Sequence, residues 1–396
     1  MDIKKYLSRG IIEAGIDTSH PIMEKAAKWQ SEGVDIVRMD MGTPDLDSPE
    51  AAKEAAIEAL RRGDCRYTHI SGIEPLRKAI AKKEKRDKGV EFDPQNEIII
   101  TVGASEANAL AYTTFLDPGD EIIVPVPGYV AYMYVLYSLG VKVVEVPIVK
   151  DCKVNIDIDE FEKYITDKTK MILLNSPQNP TGMAFTHEEL EKLAAIAIKH
   201  DLLVISDECY EKYLFEGKYE SIYTIPGMAE RTIVINSVSK TYGMTGWRVG
   251  WLAAKKELCE YMRMLHVNLL ICAPSFAQYG AVAAIENETE EQIKALQEPF
   301  DKKRKHIIEA LDSIECLDYI YPKGAFYVFV NVEKTGMTGL EFSNRFLDEY
   351  KVSSCPGEVY GRAYKNYVRF AYTCTYERTV EAMERLKQFV GSLGLK

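Results

Sequence analysis

The chain has 396 residues, of which 46% are hydrophobic and 28% are charged, and its formal net charge is −11. This composition is typical of a globular protein with a large core, and the negative charge argues against nucleic acid or an anionic membrane as the main partner. No run approaches the ~18 apolar residues of a membrane span, and the N-terminus lacks a signal-peptide core, so we expect a cytoplasmic protein without membrane contact.

Short apolar runs alternate with helical patterns between about residues 50 and 260. Runs that predict strands lie at 97–101, 121–126, 142–147, 170–174, 202–206, 232–236 and 248–254. Several are apolar on both faces, as in strands buried in a parallel sheet. With predicted helices at 49–63 and 187–200, the pattern indicates an α/β fold. We expect a large domain over residues 49–280 with a mainly parallel seven-stranded sheet flanked by helices.

The pattern changes after about residue 275. Helices are predicted at 290–313, 340–350 and 376–393, and strands at 324–332 and 366–372. We expect a smaller α+β domain, built from residues 281–396 and an N-terminal arm at residues 1–48. The charged run at 301–306 is predicted to lie on a solvent-exposed helix face.

Metal chemistry has little support in the sequence. The eight cysteines form no Cys-x-x-Cys pair, and the six histidines form no His-Glu-x-x-His pattern. We therefore expect neither a zinc ribbon nor a metal hydrolase site.

Polar residues follow several predicted strands of the large domain. Ligands of open α/β sheets bind at the carboxyl ends of the strands, so these residues are expected to converge on one site. The loops contribute an aspartate, a tyrosine, an asparagine, a lysine and a helix N-terminus, which are Asp207, Tyr210, Asn179, Lys240 and residues 102–110.

The surroundings of Lys240 indicate covalent chemistry. When a lysine is partly removed from water its pKa falls, and the neutral amine can attack a carbonyl to form a Schiff base. Asp207 would stabilise a protonated ring nitrogen. The groups suited to a phosphate are Arg248, Ser237, Ser239 and the backbone amides of Gly103, Ala104 and Ser105. An aldehyde, a phosphate and a pyridine nitrogen together indicate pyridoxal 5′-phosphate.

The order and spacing of nine motifs resemble those of the class I/II aminotransferases of fold type I, the aspartate aminotransferase-like family. The motifs lie at 41–45, 67–81, 102–107, 125–132, 175–182, 206–215, 237–251, 322–329 and 369–372. The resemblance covers nearly the whole chain. It implies that the large domain binds pyridoxal 5′-phosphate and that the protein is a homodimer with shared active sites.

The resemblance also implies a role for each matching residue at the cofactor. Lys240 matches the lysine that binds the cofactor covalently and then moves the proton between the substrate α-carbon and the cofactor. Asp207 matches the carboxylate partner of the ring nitrogen. Tyr210 and Asn179 match hydrogen-bonding partners of the ring 3-oxygen, and Tyr129 matches an aromatic residue that stacks on the ring.

Further matches concern the phosphate and the substrate. The implied phosphate ligands are Ser237, Ser239, Arg248, Ala104 and Ser105. Tyr67 matches a tyrosine that reaches the phosphate bound by the neighbouring subunit. Arg369 matches the arginine that binds the substrate α-carboxylate, with Gly42 and Asn179 assisting, and residues 17–21 are expected to flank the substrate.

The implied function is an aminotransferase that moves an amino group between an L-amino acid and a 2-oxo acid by ping-pong kinetics. One substrate pair would be glutamate and 2-oxoglutarate. The other donor would be aspartate, alanine or an aromatic amino acid. Tyr129 stands where aspartate enzymes often have tryptophan, which favours an aromatic, alanine or broad specificity.

Three other functions are alternatives to an aminotransferase. A pyridoxal-phosphate C–S β-lyase would share Lys240, Asp207 and Arg369, but the turn at 175–182 lacks the histidine that often precedes its asparagine in that branch. A regulatory module on this fold would need residues for an added DNA-binding domain. A Rossmann dehydrogenase would need a Gly-x-Gly-x-x-Gly motif after a strand, which this sequence lacks.

Overall fold

The computed structural model describes residues 3–15, 18–150, 152–154 and 158–395. Its strands are β1 (Val37–Arg38), β2 (Ile98–Thr101), β3 (Glu121–Val126), β4 (Lys142–Pro147), β5 (Val149–Lys150), β6 (Lys153–Val154), β7 (Thr169–Asn175), β8 (Leu203–Asp207), β9 (Thr232–Ser237), β10 (Gly250–Ala253), β11 (Asp318–Ile320), β12 (Tyr327–Asn331), β13 (Val352–Ser353), β14 (Cys355–Pro356) and β15 (Tyr367–Ala371).

The helices alternate with these strands along the chain. They are α1 (Arg9–Ala14), α2 (Ser19–Ser31), α3 (Glu50–Arg62), α4 (Glu74–Lys88), α5 (Gly103–Phe115), α6 (Val130–Ser138), α7 (Ile158–Phe161), α8 (His187–Lys199), α9 (Lys256–Leu269), α10 (Ser275–Glu286), α11 (Glu290–Asp312), α12 (Gly339–Tyr350) and α13 (Tyr376–Ser392). Several begin with a local hydrogen-bond motif. In α8, for example, the Thr186 hydroxyl accepts from the Glu189 amide while the Glu189 carboxylate accepts from the Thr186 amide, which satisfies two donors at the helix start.

A seven-stranded sheet forms the centre of the described structure. Its strand order is β2-β10-β9-β8-β7-β3-β4. All neighbours are parallel except β10, which runs antiparallel to both β2 and β9. The predicted α/β fold with a mainly parallel sheet is therefore confirmed.

Both faces of this sheet are buried. In β2, Ile99 packs into one apolar cluster with residues of α5, α6 and α8, whereas Ile98 and Ile100 pack into another with residues of α4 and α10. Because alternate residues of a strand point to opposite faces, helices must cover the sheet on both sides. This is why the strand sequences are apolar without alternation.

A smaller antiparallel sheet lies in the C-terminal part of the chain. Its order is β11-β12-β15-β14 within the described residues. Its apolar cluster includes Phe326, Phe342 and Phe389, so α12 and α13 pack on it. β1 pairs in parallel with β13, which joins the N-terminal segment to this part. The domain boundaries near residues 48 and 280 stay predictions.

The charged run at 301–306 differs from the expectation of a solvent-exposed face. Lys303 and Arg304 are buried in α11. Arg304 forms ion pairs with Glu216 at 2.6 Å and with Asp301 at 2.7 Å. The prediction was wrong for these two residues because long basic side chains can bury their stems. Acidic partners neutralise the charged end of Arg304, and the Lys303 ammonium lies 4.3 Å from the centre of the Phe300 ring.

Within the described residues, no helix has both the length and the apolar character needed to cross a membrane.

Candidate active site

A cavity of about 420 Å³ opens at the carboxyl ends of β7, β8 and β9, beside the first turn of α5. Its volume lies within the roughly 300–1,000 Å³ that is usual for ligand sites. β12 and β15 of the smaller sheet close another side. The cavity brings together most of the residues predicted from the sequence, which are Gly42, Ala104, Ser105, Tyr129, Asn179, Asp207, Tyr210, Ser237, Ser239, Lys240, Arg248 and Arg369.

Two predicted residues do not line the cavity. Gly103 lies directly behind it at the start of α5 with a φ of +74°, and a Cβ atom there would lie 2.3 Å from Nη2 of Arg248. A residue with a side chain would therefore displace the guanidinium. Tyr67 is 77% exposed, so it makes no contribution to the site of its own chain. Its predicted role in a neighbouring subunit stays a prediction.

Lys240 follows β9 and is half-buried, with its side chain lining the cavity. Its Nζ donates a hydrogen bond to the carbonyl oxygen of Gly42 at 2.6 Å. The pKa of Lys240 falls from its usual 10.5 to about 8. Burial is the largest cause, the nearby cations Arg369 and Arg248 act in the same direction, and Cys209 and Asp207 oppose the shift. Near neutral pH a useful fraction of this amine is therefore unprotonated and able to attack a carbonyl.

Asp207 is the last residue of β8 and is buried at the wall of the cavity. Burial raises the pKa of its carboxyl, while hydrogen bonds oppose that shift. Tyr132 donates its hydroxyl at 2.7 Å, Asn108 its side-chain amide at 3.3 Å, and Cys209 its backbone amide at 3.2 Å. These donors favour a carboxylate, which is able to pair with a cationic ligand group.

The first turn of α5 and Arg248 form a second charged end of the cavity. Arg248 has a φ of +55°, and it donates to the carbonyl oxygens of Thr245 at 3.0 Å and Val102 at 3.3 Å. Ala104 and Ser105 lie beside it, where the amides at a helix N-terminus attract anions. This arrangement suits a phosphate group.

Arg369 projects from β15 and is buried against two tyrosine rings. It donates to the side-chain oxygen of Asn179 at 3.1 Å and to the carbonyl oxygen of Asp40. The centres of the Tyr327 and Tyr360 rings lie 4.6 and 5.2 Å from the guanidinium carbon. Within the described residues it forms no ion pair, and its buried Nε has no hydrogen-bond partner.

An unpaired buried donor costs about 1–3 kcal/mol. The Arg369 guanidinium is therefore suited to bind an anionic ligand group, and a carboxylate matches its planar fork.

Tyrosines pack closely around the remaining part of the cavity. The hydroxyls of Tyr210 and Tyr327 are hydrogen-bonded at 2.9 Å, and the rings of Tyr129 and Tyr132 meet edge to face with centres 5.3 Å apart. Gly42 comes so close that a Cβ atom would lie 2.1 Å from the Tyr327 hydroxyl oxygen. Only glycine fits there without displacing the tyrosine.

The structure adds residues that sequence reasoning did not single out. Tyr132 and Tyr327 lie inside recognised motifs, at 125–132 and 322–329, but no role was assigned to them. Asn108 lies one helical turn after Ala104, so the i, i+4 spacing in α5 could have indicated it. Asp40, Cys355 and Tyr360 also line the cavity. No pattern in the sequence predicted that these three residues belong to the site.

The N-terminal end of α2 also contributes to the cavity. Ser19, His20 and Met23 line it, which places part of the segment at residues 17–21 beside the site. Asp17 of that segment lies outside the described residues. Among the described side chains, no group of three or more histidine, cysteine, aspartate or glutamate residues is arranged to hold a metal ion.

Comparison with known proteins identifies the family of this chain. A family model described as aminotransferase class I and II matches residues 34–386. An aspartate aminotransferase from Pyrococcus abyssi is 39% identical, over 89% of this chain and 91% of its own length. Aromatic-amino-acid aminotransferase 2 from Thermococcus litoralis is 38% identical, over 90% and 92%.

A solved structure agrees with these relatives. The crystal structure of an aromatic aminotransferase from Pyrococcus horikoshii superposes with a TM-score of 0.87 at 38% identity, covering 94% of this chain and all of that one. The shared fold and sequence extend across the cavity and both sheets. The chain belongs to the class I and II aminotransferases and is a transaminase.

Proposed function

We propose that the protein is a pyridoxal 5′-phosphate-dependent transaminase in which Lys240 carries the cofactor. The family generally depends on this cofactor. The single observation that carries the proposal is a half-buried lysine with a pKa of about 8 that shares one cavity with the buried carboxylate of Asp207. An amine near neutrality is suited both to bind an aldehyde and to move a proton.

The residues of the cavity fit this cofactor. Asp207 would hold the ring nitrogen, Tyr210 and Asn179 the ring oxygen, and Tyr129 the ring face. The phosphate would be held by Arg248, Ser237, Ser239, Ser105 and the backbone amides of Gly103 and Ala104. When bound, the cofactor supplies an electron sink for the negative charge that develops at the substrate α-carbon.

Arg369 and Lys240 are the two residues that would act on the substrate. Arg369 binds the α-carboxylate through its guanidinium, which Asn179 holds in orientation at 3.1 Å. The Nζ of Lys240 would act as the base that holds the substrate α-proton and moves it during the reaction. Its low pKa matters here because a protonated amine cannot act as a base.

The walls of the cavity support a preference for one class of donor. Besides Lys240, Arg248 and Arg369, no lysine or arginine lines the described cavity, and His20 is the further basic residue. Met23, Met41, Val130 and Val135 contribute apolar surface to the wall. We propose glutamate and 2-oxoglutarate as one pair and an aromatic amino acid as the preferred second donor, ahead of alanine and aspartate.

An exposed apolar surface supports a homodimer. Leu269, Leu270, Ile271 and Phe276 are all at least 37% exposed beside Tyr67. The Ser275 hydroxyl donates to the Asp64 carbonyl at 2.7 Å, which brings the two segments together. A group of exposed apolar side chains of this kind is typical of a protein–protein interface. We propose that a second copy covers it, with Tyr67 reaching that copy's phosphate site.

The visible spectrum tests the function. Pyridoxal 5′-phosphate added to the purified protein should produce the absorption band of a lysine-bound cofactor, and an amino acid donor should bleach it while its 2-oxo acid appears. Ammonia without bleaching, with pyruvate and a thiol from cystathionine, would establish the β-lyase instead. No band, with the same spectrum for Lys240→Ala, would overturn the cofactor assignment.

A further inference from the structure

We propose that a buried ion-pair network behind the cavity acts as a positioning device that holds Asp207 and Tyr210 in place for the cofactor. This inference rests on the proposed function. We call this group of residues the α4 network. Its members are Lys83, Glu84, Asp87 and Lys88 of α4, Glu208, Glu211 and Lys212 of the segment after β8, and Glu288.

The segment after β8 has two faces with different partners. Asp207 and Tyr210 line the cavity, whereas Glu208 and Glu211 are buried outside it and face α4. The two glutamates are neighbours in sequence of the two cavity residues. A shift of either glutamate therefore moves the backbone that carries a cofactor contact.

Two buried lysines of α4 hold these glutamates. Lys88 forms ion pairs with Glu84 at 2.7 Å and with Glu211 at 2.9 Å, and it also pairs with Glu208. Lys83 pairs with Asp87 at 2.9 Å and with Glu211. Their side chains are only 4% and 1% exposed, so water does not weaken these contacts.

Neutral donors and the sheet fix Glu208 further. Its carboxylate accepts from the Ser206 hydroxyl at 2.8 Å and from the Ser221 hydroxyl. Its backbone amide donates to the Ile235 carbonyl of β9 at 2.8 Å. Glu208 is thus held from the helix, from its own strand and from the neighbouring strand.

The α4 network also reaches the segment that carries Lys240. Tyr242, two residues further along, donates to Glu288 at 2.6 Å. Glu288 in turn lies 3.5 Å from Lys212 and pairs with Arg86. One helix therefore connects to both chain segments that supply the central cofactor contacts.

Stability alone does not explain so many buried charges. Desolvation offsets much of the attraction in a buried ion pair, and well-packed apolar residues often stabilise a protein as much or more. Directional contacts add what apolar packing lacks, which is a defined position for each partner. A displacement of about 1 Å at an active site can cost on the order of 100-fold in rate, so a fixed loop matters here.

The test compares two lysines of the same helix. Lys88→Met removes the central cation of the α4 network. The matched control Lys85→Met removes a lysine whose side chain is 66% exposed and pairs with Glu91 at 2.6 Å. The measurements are the dissociation constant for pyridoxal 5′-phosphate and the visible circular dichroism of the bound cofactor, both recorded on the full-length protein.

We expect Lys88→Met to weaken cofactor binding about tenfold or more and to alter the circular dichroism band, because the loop contacts are displaced. Lys85→Met should match the wild type. If Lys88→Met lowers only the melting temperature and leaves both cofactor measurements unchanged, the α4 network is structural and the proposal is overturned.

A second variant covers poor folding of Lys88→Met. Glu208→Gln keeps the size of the side chain and removes one charge of the pair. It should weaken cofactor binding and alter the circular dichroism band, though by less than Lys88→Met, and wild-type values would contradict the proposal. If the wild type itself fails to bind the cofactor, the proposed function fails first, so the two failures remain distinguishable.

Discussion

Two groups of charged residues lie on opposite sides of residues 207–211, and the pKa values of their lysines are shifted in opposite directions. In the cavity, burial lowers the pKa of Lys240 to about 8. In the α4 network, burial also acts to lower the pKa of Lys83 and Lys88, but adjacent carboxylates outweigh it and raise both pKa values above the usual 10.5. Burial acts to lower the pKa of all three lysines, so the charged groups beside each lysine decide whether its pKa falls or rises.

The comparison separates a reactive lysine from a structural one. The Lys240 ammonium donates a hydrogen bond to the Gly42 carbonyl and has two arginines nearby. Its positive charge is therefore poorly compensated. Lys88 contacts three carboxylates. A buried lysine without a paired carboxylate is therefore the better candidate for covalent chemistry.

The largest expected effect is on catalysis. Replacing Lys240 with alanine removes both the amine that binds the cofactor and the base that moves the proton. Transaminase activity should fall by on the order of 10⁴-fold or more, as when a residue central to catalysis is removed from other enzymes. Steady-state rates for wild type, Lys240→Ala and Lys85→Ala measure this, and substantial activity in Lys240→Ala would refute its role.

The next effect is on folding. Lys83→Met removes the cation that Glu211 and Asp87 share, and leaves Lys88 and Lys212 as their remaining partners. Breaking a buried ion pair costs up to about 3–5 kcal/mol of the free energy of unfolding, and the remaining partners place the expected loss at the lower end of that range. Denaturant unfolding of the cofactor-free protein measures it. Lys85→Met should stay within about 0.5 kcal/mol of wild type, and equal losses in both variants would contradict the comparison.

Replacing Lys240 with methionine should have the opposite effect and increase the free energy of unfolding. Its pKa is about 8 when folded and 10.5 in the ordinary state, so the unfolded chain binds more protons and stability rises with pH between those values. Below about pH 8, Lys240→Met should stabilise the cofactor-free protein by up to about 3 kcal/mol, because each pKa unit corresponds to about 1.4 kcal/mol.

Unfolding measured at pH 7 and near pH 10 for wild type and Lys240→Met checks this. The advantage of the variant should shrink as the pH rises towards 10.5, since the folded wild-type lysine is then neutral and the unfolded chain releases its proton at little cost. A variant that is less stable than wild type at pH 7 would show that the buried charge is compensated after all.

The smallest effect concerns substrate binding. Arg369→Lys keeps a positive charge but loses the planar fork that matches a carboxylate. We expect kcat/KM to fall about 10- to 100-fold, which corresponds to roughly 1.4–2.8 kcal/mol, mostly through KM for the amino acid. Steady-state kinetics measures both parameters. An unchanged KM would show that another group binds the α-carboxylate.

The central sheet and the main site residues were predictable from the sequence. Buried parallel strands have continuous apolar runs. Asp207 directly follows the run at 202–206, and Lys240 comes four residues after the end of the run at 232–236. Their convergence then follows from the geometry of a parallel sheet. The antiparallel direction of β10 was not predicted, because an apolar run carries no information about strand direction.

The rest of the site depends on long-range packing. Tyr132 and Asn108 reach Asp207 from two different helices, and Cys355 and Tyr360 reach the cavity from the smaller sheet and its neighbouring loop. The α4 network was missed for a related reason. Residues 82–88 resemble a solvated helix face, and only the fold brings Glu208 and Glu211 against them.

We propose that Lys240, and not a lysine of the α4 network, carries the cofactor. Borohydride reduction after addition of pyridoxal 5′-phosphate would fix the cofactor to the lysine that binds it, and mass spectrometry of the peptides would identify that residue. We predict one modified peptide, containing Lys240, and unmodified peptides containing Lys83 and Lys88. Modification at another lysine, with Lys240 unmodified, would contradict the assignment of Lys240 as the lysine that carries the cofactor.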